Sequence, residues 1–322
     1  MKLPRDWRIR STRSKWLWPL SMLHRGVLAT RSTLYQWGWR RSQAVPALVI
    51  VVGNVIAGGA GKTPTVLAIA RHLRGRGLAV GIVSRGYGRR DSAVREVLGT
   101  STPAQVGDEP LLLHRQTGLP VFVGKRRLAA ARALLAAHPT TQIILSDDGL
   151  QHLALTRDIE ICVFDDRGVG NGWLLPAGPL REPWPRECEL VLHTGVEPAF
   201  DGGFRSTRGL GDFAVAADGS RVALGDLVGQ PLIAYAGIAT PEAFFEMLSA
   251  RGLWLEHAVA LPDHHDFQTW KRPADSHFKL VCTEKDAVKL WALAPDALAV
   301  PLLFSPEPAF FKALDRLLEV RL

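Results

Sequence analysis

The stretch from Asn54 to Thr63 constrains the fold of this chain more than any other. It reads Asn-Val-Ile-Ala-Gly-Gly-Ala-Gly-Lys-Thr and lies between two apolar segments, residues 47–52 and 66–73. The first segment is a short apolar run, which indicates a buried strand, and the second has the pattern of a helix. A strand, a glycine-rich turn, Gly-Lys-Thr and a helix follow one another in phosphate-binding loops. The sequence therefore predicts a unit that binds a nucleoside triphosphate.

The residue types in this loop suit phosphate binding for separate physical reasons. Glycines let consecutive backbone N–H groups point at phosphate oxygens, and the helix N-terminus adds the positive end of its dipole. Lys62 can reach the β- and γ-phosphates, and Thr63 can ligate Mg²⁺. The common pattern would place its first glycine at Ile56, whereas here the glycines lie nearer the lysine. A glycine-rich turn followed by a chance Lys-Thr is the alternative interpretation.

Composition sets the general class of the protein. The 322 residues are enough for one large or two ordinary domains, and 47% of them are apolar, so a full core can form. The three cysteines are widely spaced, without a Cys-x-x-Cys pair, so neither a zinc site nor a disulfide framework is indicated. Buried thiols in a reducing compartment are the simpler interpretation.

The net charge of +8 is concentrated in the first 43 residues. That arm carries ten Lys/Arg against one Asp, and five of the ten tryptophans. Basic residues with tryptophan are typical of the membrane–water interface. Its apolar run, residues 16–23, contains Pro19 and is too short to span a bilayer, and no clear signal-peptide cleavage site follows. Two alternatives are an arm packed on the protein itself and an RNA-binding arm, although no nucleic-acid module follows it.

Apolar segments alternate with helical patterns through the middle of the chain. This alternation predicts an α/β fold with a mostly parallel sheet covered on both faces. Ligands bind at the carboxyl ends of such strands, where Lys62, Arg85, Asp147 and Asp148 are expected. The texture changes near Gly203, which indicates a smaller α/β lobe that closes a cleft. We therefore divide the chain into an N-terminal membrane-interface helical arm (1–43), a P-loop NTPase core (44–202) and a C-terminal lobe (203–322).

Two polar clusters supply candidate chemistry. Asp147 and Asp148 follow an apolar strand, where an aspartate can hold the Mg²⁺ that bridges the β- and γ-phosphates. His152 belongs to this site or caps the loop, and both interpretations stay open. The segment 263–266, Asp-His-His-Asp, can bind metal, form a proton-transfer pair or be a surface turn. Because Mg²⁺ prefers oxygen ligands, we favour proton transfer or positioning for this segment.

The motifs together resemble one family, the tetraacyldisaccharide 4′-kinases, which phosphorylate lipid A precursors in Gram-negative bacteria. The resemblance extends over nearly the whole chain, including the arm, and the ordered set is far more specific than any single motif. The matching segments are 52–54, 58–64, 84–87, 107–110, 147–152, 176–183, 263–265 and 283–286.

This resemblance implies transfer of the ATP γ-phosphoryl group to the 4′-hydroxyl of an acylated glucosamine disaccharide 1-phosphate in the bilayer. It implies a monotopic enzyme on the cytoplasmic face of the inner membrane, at an anionic surface, with no nucleic acid and no obligate protein partner. It assigns catalytic roles to Asp108, His264, Lys62 and Asp147, and metal ligation to Thr63, Asp147, Asp148 and Glu182. The implied ATP-binding residues are Gly58, Gly59, Ala60, Gly61, Lys62, Thr63, Pro64 and Arg85.

Two other classes of phosphate-loop protein compete with this hypothesis. A switch ATPase of the membrane-associated partitioning type needs a lysine ahead of the double glycine, where this chain has Ala57. A GTP-binding metallochaperone would explain the faint likeness of residues 283–286 to a guanine-reading motif, but no cysteine-rich metal site accompanies it. ATP hydrolysis measured with and without acylated disaccharide would separate the three classes.

Overall fold

The computed structural model describes residues 4–89, 91–238, 240–263, 265–267, 270–272 and 278–322. Short 3₁₀ turns occur at Arg5–Trp7 and Leu224–Leu227. The helices are α1 (Thr12–Gln36), α2 (Lys62–Gly75), α3 (Pro103–Val106), α4 (Asp108–Thr117), α5 (Arg127–Ala137), α6 (Pro241–Ala250), α7 (Glu284–Leu290) and α8 (Pro308–Glu319). The strands are β1 (Leu48–Gly53), β2 (Val80–Ser84), β3 (Arg95–Glu96), β4 (Val121–Val123), β5 (Ile143–Asp147), β6 (Ile159–Phe164), β7 (Leu190–His193), β8 (Phe204–Leu210), β9 (Phe213–Val215), β10 (Arg221–Ala223), β11 (Pro231–Ala236), β12 (Trp254–Ala260), β13 (Lys279–Thr283), β14 (Leu298–Val300) and β15 (Leu302–Pro306).

A nine-stranded sheet forms the core, in the order β15-β8-β7-β6-β1-β5-β2-β4-β3. Its inner pairs are parallel, and antiparallel pairs occur only at the two edges. All six residues of β1 are buried, as expected for a strand covered on both faces. Helices α2, α4 and α8 cover one face, and α5 covers the other. The predicted α/β fold with a mostly parallel sheet is confirmed.

The second lobe contains a six-stranded sheet, in the order β10-β9-β14-β13-β11-β12. Strands β12, β11, β13 and β14 are parallel, and β9 and β10 form an antiparallel edge. Helix α6 packs on one face through Phe244 and Leu248, and α7 packs on the other through Ala287 and Leu290. This lobe therefore has two small cores of its own.

The division between the two sheets does not coincide with the predicted boundary between residues 202 and 203. Strand β8 begins at Phe204 and still pairs with β7, so it belongs to the large sheet. After the second lobe, β15 pairs antiparallel with β8, and α8 packs on the large sheet through Phe310, Leu314 and Leu318. The second lobe is thus an insertion between two neighbouring strands of the first sheet. The local sequence pattern does not predict that the chain rejoins the first sheet, because the pairing joins residues about 100 positions apart.

Helix α1 lies against the core through a face of small and polar side chains. Ser14 and Ser21 are buried, and the Ser21 hydroxyl donates a hydrogen bond to the Leu174 carbonyl at 2.9 Å. His24 Nδ1 lies 3.1 Å from the carbonyl oxygen of Leu175. These positions repeat every seven and three residues, which keeps them on one side of a helix. The arm therefore packs on the core, which agrees with the alternative interpretation of an arm packed on the protein itself.

The opposite side of α1 is apolar and faces solvent. We call this set the outer stripe, and each of its side chains is more than half exposed: Trp16, Leu20, Leu23 and Val27. Their spacing of four, three and four residues places them in one line along the helix. A helix on a soluble surface normally has the reverse arrangement, with its apolar side facing the core. Within the residues that the structure describes, no helix combines the length and apolar character needed to cross a bilayer.

Candidate active site

The glycine-rich loop joins the end of β1 to the start of α2. Gly58 and Gly61 have φ angles of 97° and 79°, a region that favours glycine over residues with a Cβ. A Cβ on Gly61 would lie 2.9 Å from the Thr194 hydroxyl oxygen, so space as well as backbone conformation requires glycine there. The loop therefore ends in a helix N-terminus whose first backbone N–H groups are available to an anion.

Asn54 organises the inside of the loop. Its amide nitrogen donates to the Gly58 carbonyl at 3.1 Å, and its amide oxygen accepts from Lys62 Nζ at 3.1 Å. The Lys62 ammonium also lies 3.8 Å from a carboxylate oxygen of Asp148. The lysine is thus held over the loop by a neutral oxygen and by a carboxylate at the next strand end.

Two side chains from neighbouring strand ends support the outside of the loop. Arg167 Nη1 donates to the Ala57 carbonyl at 3.3 Å, and its guanidinium is itself held by Asp165 at 2.8 Å. The Thr194 hydroxyl, just after β7, donates to the Ala60 carbonyl at 2.9 Å. These contacts orient carbonyls away from the concave side of the loop, which leaves N–H groups for the ligand.

Asp147 is a buried carboxylate whose oxygens are not both hydrogen-bonded within the described residues. One oxygen accepts a hydrogen bond from the Ser84 hydroxyl at 3.0 Å, and the other is buried without a hydrogen-bond partner among the described residues. Burial, together with the charges of Glu109 and Asp148, raises the pKa of Asp147 to about 7. A cation at this position would remove that penalty, so the residue fits the metal-binding role predicted for it.

The negative charge of Asp148, in contrast to that of Asp147, is balanced by positively charged side chains. Asp148 adopts a φ of 48°, and Arg181 Nη2 donates to its Oδ1 at 2.8 Å. Burial opposes ionisation, but the charges of Lys62 and Arg181 hold the pKa of its carboxyl well below the usual range. Arg181 also donates to the main-chain carbonyl of Asn54 at 2.8 Å. One arginine therefore ties the loop after β5 to the phosphate loop.

Arg127 fixes the backbone that carries the two aspartates. Its side chain is almost fully buried, and it donates to the carbonyls of Gly124 at 2.9 Å and Asp147 at 3.0 Å. Burial lowers the pKa of this guanidinium to about 10, so it remains charged at neutral pH. No sequence motif marks Arg127, because it lies in the first turn of an alanine-rich helix.

Asp108 begins α4 on the side of the core that faces the second lobe. Lys289 of α7 donates to its Oδ2 at 3.1 Å and to the carbonyl of His265 at 2.6 Å. Both side chains of this ion pair are nearly buried, with exposed fractions of 11% and 6%. One lysine therefore joins the predicted base to the segment that carries the predicted histidine, and it joins the two lobes.

A second lysine on α7 repeats this connection one turn earlier. Lys285 Nζ lies 2.8 Å from a carboxylate oxygen of Asp263 and 3.6 Å from one of Glu109. Burial disfavours its charge, but Glu109, Asp108 and Asp263 raise the pKa of Lys285. Residues 283–286, one of the segments that resemble the family, form the start of the helix that presents these lysines.

The predicted metal-ligand set is only partly assembled. Asp147 and Asp148 are adjacent, and Thr63 lies in the first turn of α2. Glu182 instead pairs with Arg186 at 2.8 Å, and in the described part of the chain no hydrogen bond joins its side chain to the other three residues. Across the same residues, no three His, Cys, Asp or Glu side chains could hold a metal ion by themselves. The role of Glu182 stays a prediction without a geometric counterpart.

The remaining predicted residues occupy different surroundings. Pro64 follows Thr63 in the first turn of α2, and Arg85 is exposed directly after β2. Burial, and then the charge of Arg127, lowers the pKa of His152 to about 4, so this imidazole is neutral at pH 7. His264 lies outside the described residues, between Asp263 and His265.

These elements together define a class. A glycine loop before a helix, a lysine at its end, an acidic pair on the neighbouring parallel strand and a second lobe facing them are the parts of a P-loop phosphotransferase. The fold and the site therefore describe an enzyme that handles a nucleoside triphosphate.

The particular family follows from comparison with known proteins. The model of the family described as tetraacyldisaccharide-1-P 4′-kinase matches residues 13–319, and the chain belongs to this family. Tetraacyldisaccharide 4′-kinase of Acidovorax sp. (strain JS42) is 59% identical over 312 residues, 96% of this chain and 92% of that protein. The enzyme of Polaromonas naphthalenivorans (strain CJ2) is 57% identical, covering 98% and 94%. The predicted family is confirmed.

The fold has a solved counterpart in the same family. LpxK from Aquifex aeolicus, in complex with ATP, superposes with a TM-score of 0.82 at 27% identity. The match covers 95% of this chain and 99% of that one. Nearly the whole chain therefore follows an arrangement known from experiment.

Proposed function

We propose that this chain transfers the γ-phosphoryl group of ATP to the 4′-hydroxyl of a tetraacylated glucosamine disaccharide 1-phosphate, giving lipid IV-A. The proposal rests on the phosphate loop, in which Lys62 lies beside Asp148. Next to it, the buried carboxylate of Asp147 has a raised pKa, as expected for a group that binds a cation. We infer the identity of the acceptor from family membership, since the relatives are named for this reaction.

The loop would bind the triphosphate through backbone N–H groups and the α2 N-terminus. Phosphoryl transfer passes through a loose transition state, so positioning and charge neutralisation account for most of the catalysis. Lys62 is placed to follow the β- and γ-phosphates, and it exchanges its contacts with Asn54 and Asp148 for phosphate oxygens. Arg85, exposed beside the site, adds positive charge in this proposal.

The residues present suit a magnesium ion. Mg²⁺ is usually bound by one or two carboxylates, waters and substrate phosphates, so a cluster of three protein ligands is not needed. Asp147 and the Thr63 hydroxyl would hold it, with Asp148 close by. When bound, the ion neutralises charge that develops on the β- and γ-phosphoryl oxygens.

Asp108 would accept the proton of the acceptor hydroxyl. It sits at the first residue of α4, where the helix dipole favours the ionised carboxylate, and Lys289 holds one of its oxygens. The other oxygen accepts the backbone N–H of Glu109 at 3.0 Å, which fixes the rotamer. A positioned carboxylate can take a proton late in the transfer without being a strong base. His264, which precedes His265 in the sequence, would assist it.

The arm would hold the enzyme at the cytoplasmic face of the inner membrane, where the acylated acceptor resides. The outer stripe offers apolar area to the bilayer interface, while the polar side of α1 rests on the core. Basic residues in the arm add attraction to anionic lipid of about 1 kcal/mol each near the surface. The stripe and the charges together fit an interfacial helix.

The decisive experiment measures ADP release by the purified protein in mixed micelles, with and without tetraacyldisaccharide 1-phosphate. We expect release that depends on the acylated acceptor and a product that carries a 4′-phosphate. Lys62→Ala should abolish transfer, because the transferring phosphates lose their point charge. Thr63→Ala should raise the Mg²⁺ concentration needed for half-maximal rate.

ADP release of equal rate without any acceptor would contradict the proposal and favour a switch ATPase. Activity restored by GTP but not ATP would favour the metallochaperone class instead. Near-normal turnover of Lys62→Ala at saturating ATP would remove the loop from the mechanism.

A further inference from the structure

Arg208 lies beyond the end of a neighbouring strand, on the side of the sheet that carries the phosphate loop. Strand β8 pairs with β7 only through Phe204 and Arg205, and then continues past the last residue of β7. Phe204 packs in the core cluster shared with α2 and α8. Side chains alternate along a strand, so Arg208, four residues further on, lies on the same face. This places its guanidinium towards the start of α2.

The environment of this guanidinium points to an anion. A Cβ on Gly61 would lie 2.9 Å from Arg208 Nη2, so the charge rests against the last glycine of the loop. Among the residues that the structure describes, no hydrogen bond and no ion pair within 4.0 Å reaches the Arg208 guanidinium, whereas the Arg208 backbone pairs with Phe304 of β15. Burial lowers the pKa of this side chain, against the opposing charges of Asp165 and Asp166. Arg208 is nevertheless exposed to solvent, so a ligand bound at the loop can reach its side chain.

The order of strands tells which part of a nucleotide would meet this charge. Asp147 ends β5, on one side of β1, and the predicted base Asp108 begins α4 on that same side. Strands β6, β7 and β8 lie on the other side of β1. The transferring γ-phosphate must face the metal and the acceptor, so the rest of the nucleotide must extend towards β6–β8. Arg208 therefore faces the phosphates that do not react.

We propose that Arg208 is a nucleotide-binding residue that contacts the α- and β-phosphates of ATP and ADP from the β8 side of the loop. This inference rests on the proposed kinase function and identifies a further residue in its nucleotide site. The guanidinium can donate two parallel hydrogen bonds to phosphate oxygens, and the helix N-terminus binds the same group from the other direction. The residue comes from the strand that leads into the second lobe.

The test is nucleotide binding measured by calorimetry without lipid. Arg208→Ala should lower the affinity of the protein for ADP and for a non-hydrolysable ATP analogue to a similar degree. We expect a loss of about 10- to 100-fold, as for the removal of charged hydrogen bonds. Arg208→Lys should recover part of the loss, since it keeps the charge without the fork. Arg205→Ala is the matched control, because Arg205 has the same charge on the same strand but faces the other way.

Three results would overturn the proposal. These are unchanged ADP affinity in Arg208→Ala, an equal loss in the Arg205→Ala control, and a loss confined to the ATP analogue, which would mean a γ-phosphate contact. The assay separates this inference from the kinase proposal, because it needs no acceptor. If the wild-type protein binds nucleotide yet does not phosphorylate the disaccharide, the function fails while Arg208 is still tested.

Discussion

Replacing Lys289 with methionine would remove the ammonium that joins Asp108 to the second lobe while keeping an unbranched side chain of similar length. The ion pair spans 3.1 Å, and both side chains are about nine-tenths buried. Breaking a buried pair by removing one partner costs about 3–5 kcal/mol, because the remaining charge loses a compensating partner. For a chain of this length, that cost corresponds to a fall in melting temperature of about 4 to 7 °C.

The same substitution should affect catalysis in a way that a simple loss of stability does not. Asp108 would lose a hydrogen-bond donor, and the segment at His265 would lose its anchor, so kcat should fall while the KM for ATP changes little. Lys289→Arg should retain much of the melting temperature and of kcat, because arginine keeps a charged hydrogen-bond donor at this position. Lys312→Met is a suitable control, since that lysine is exposed on α8.

The measurements are thermal unfolding followed by circular dichroism and steady-state kinetics well below the melting temperature. A double-mutant cycle with Asp108→Asn should show that most of the stability loss is shared between the two residues. A melting temperature within 1 °C of the wild-type value, or fully additive losses in the cycle, would refute the argument that this pair joins the lobes.

Three further outcomes are expected. Asp108→Ala should lower kcat by about 10²- to 10⁴-fold with little change in ATP affinity, which pre-steady-state kinetics and nucleotide titration can separate; a loss confined to ATP affinity would count against a base. Folding lowers the pKa of His152 from 6.5 to about 4, so protonation favours the unfolded chain, and stability from this residue is lost as pH falls through that interval. His152→Gln should therefore make the melting temperature fall less between pH 7 and pH 5, and parallel curves would contradict this. Serine at all four positions of the outer stripe should reduce co-sedimentation with anionic vesicles and raise the KM for the acylated acceptor only, whereas unchanged sedimentation would place membrane contact elsewhere.

The local chemistry of the nucleotide loop could be predicted because it is encoded in consecutive residues. Glycines, Lys62 and Thr63 occupy the positions that any phosphate loop needs, and the flanking apolar runs specified the strand and the helix. The acidic pair was predictable for the same reason, since it directly follows another clear apolar strand of the core. The match to the family then followed from the order of these short motifs.

The connections between distant segments could not be predicted in the same way. Lys289 meets Asp108 across 181 positions, and nothing near either residue indicates the other. The return of β15 and α8 to the first sheet depends on pairing between strands separated by a whole lobe. The different states of Asp147 and Asp148 depend on burial and on arginines from other loops, which adjacent identical residues do not reveal.

The insertion of the second lobe also affects how the chain can fold while it is being synthesised. Helix α8 covers apolar side chains of β6 and β7, yet it is made only after the whole inserted lobe. At 5–20 residues per second, the stretch from residue 211 to residue 301 takes the ribosome about 5 to 20 s. During that interval the growing chain exposes an uncovered patch of its nucleotide-binding half. Newly made chains should therefore be prone to aggregate until α8 has packed on the sheet.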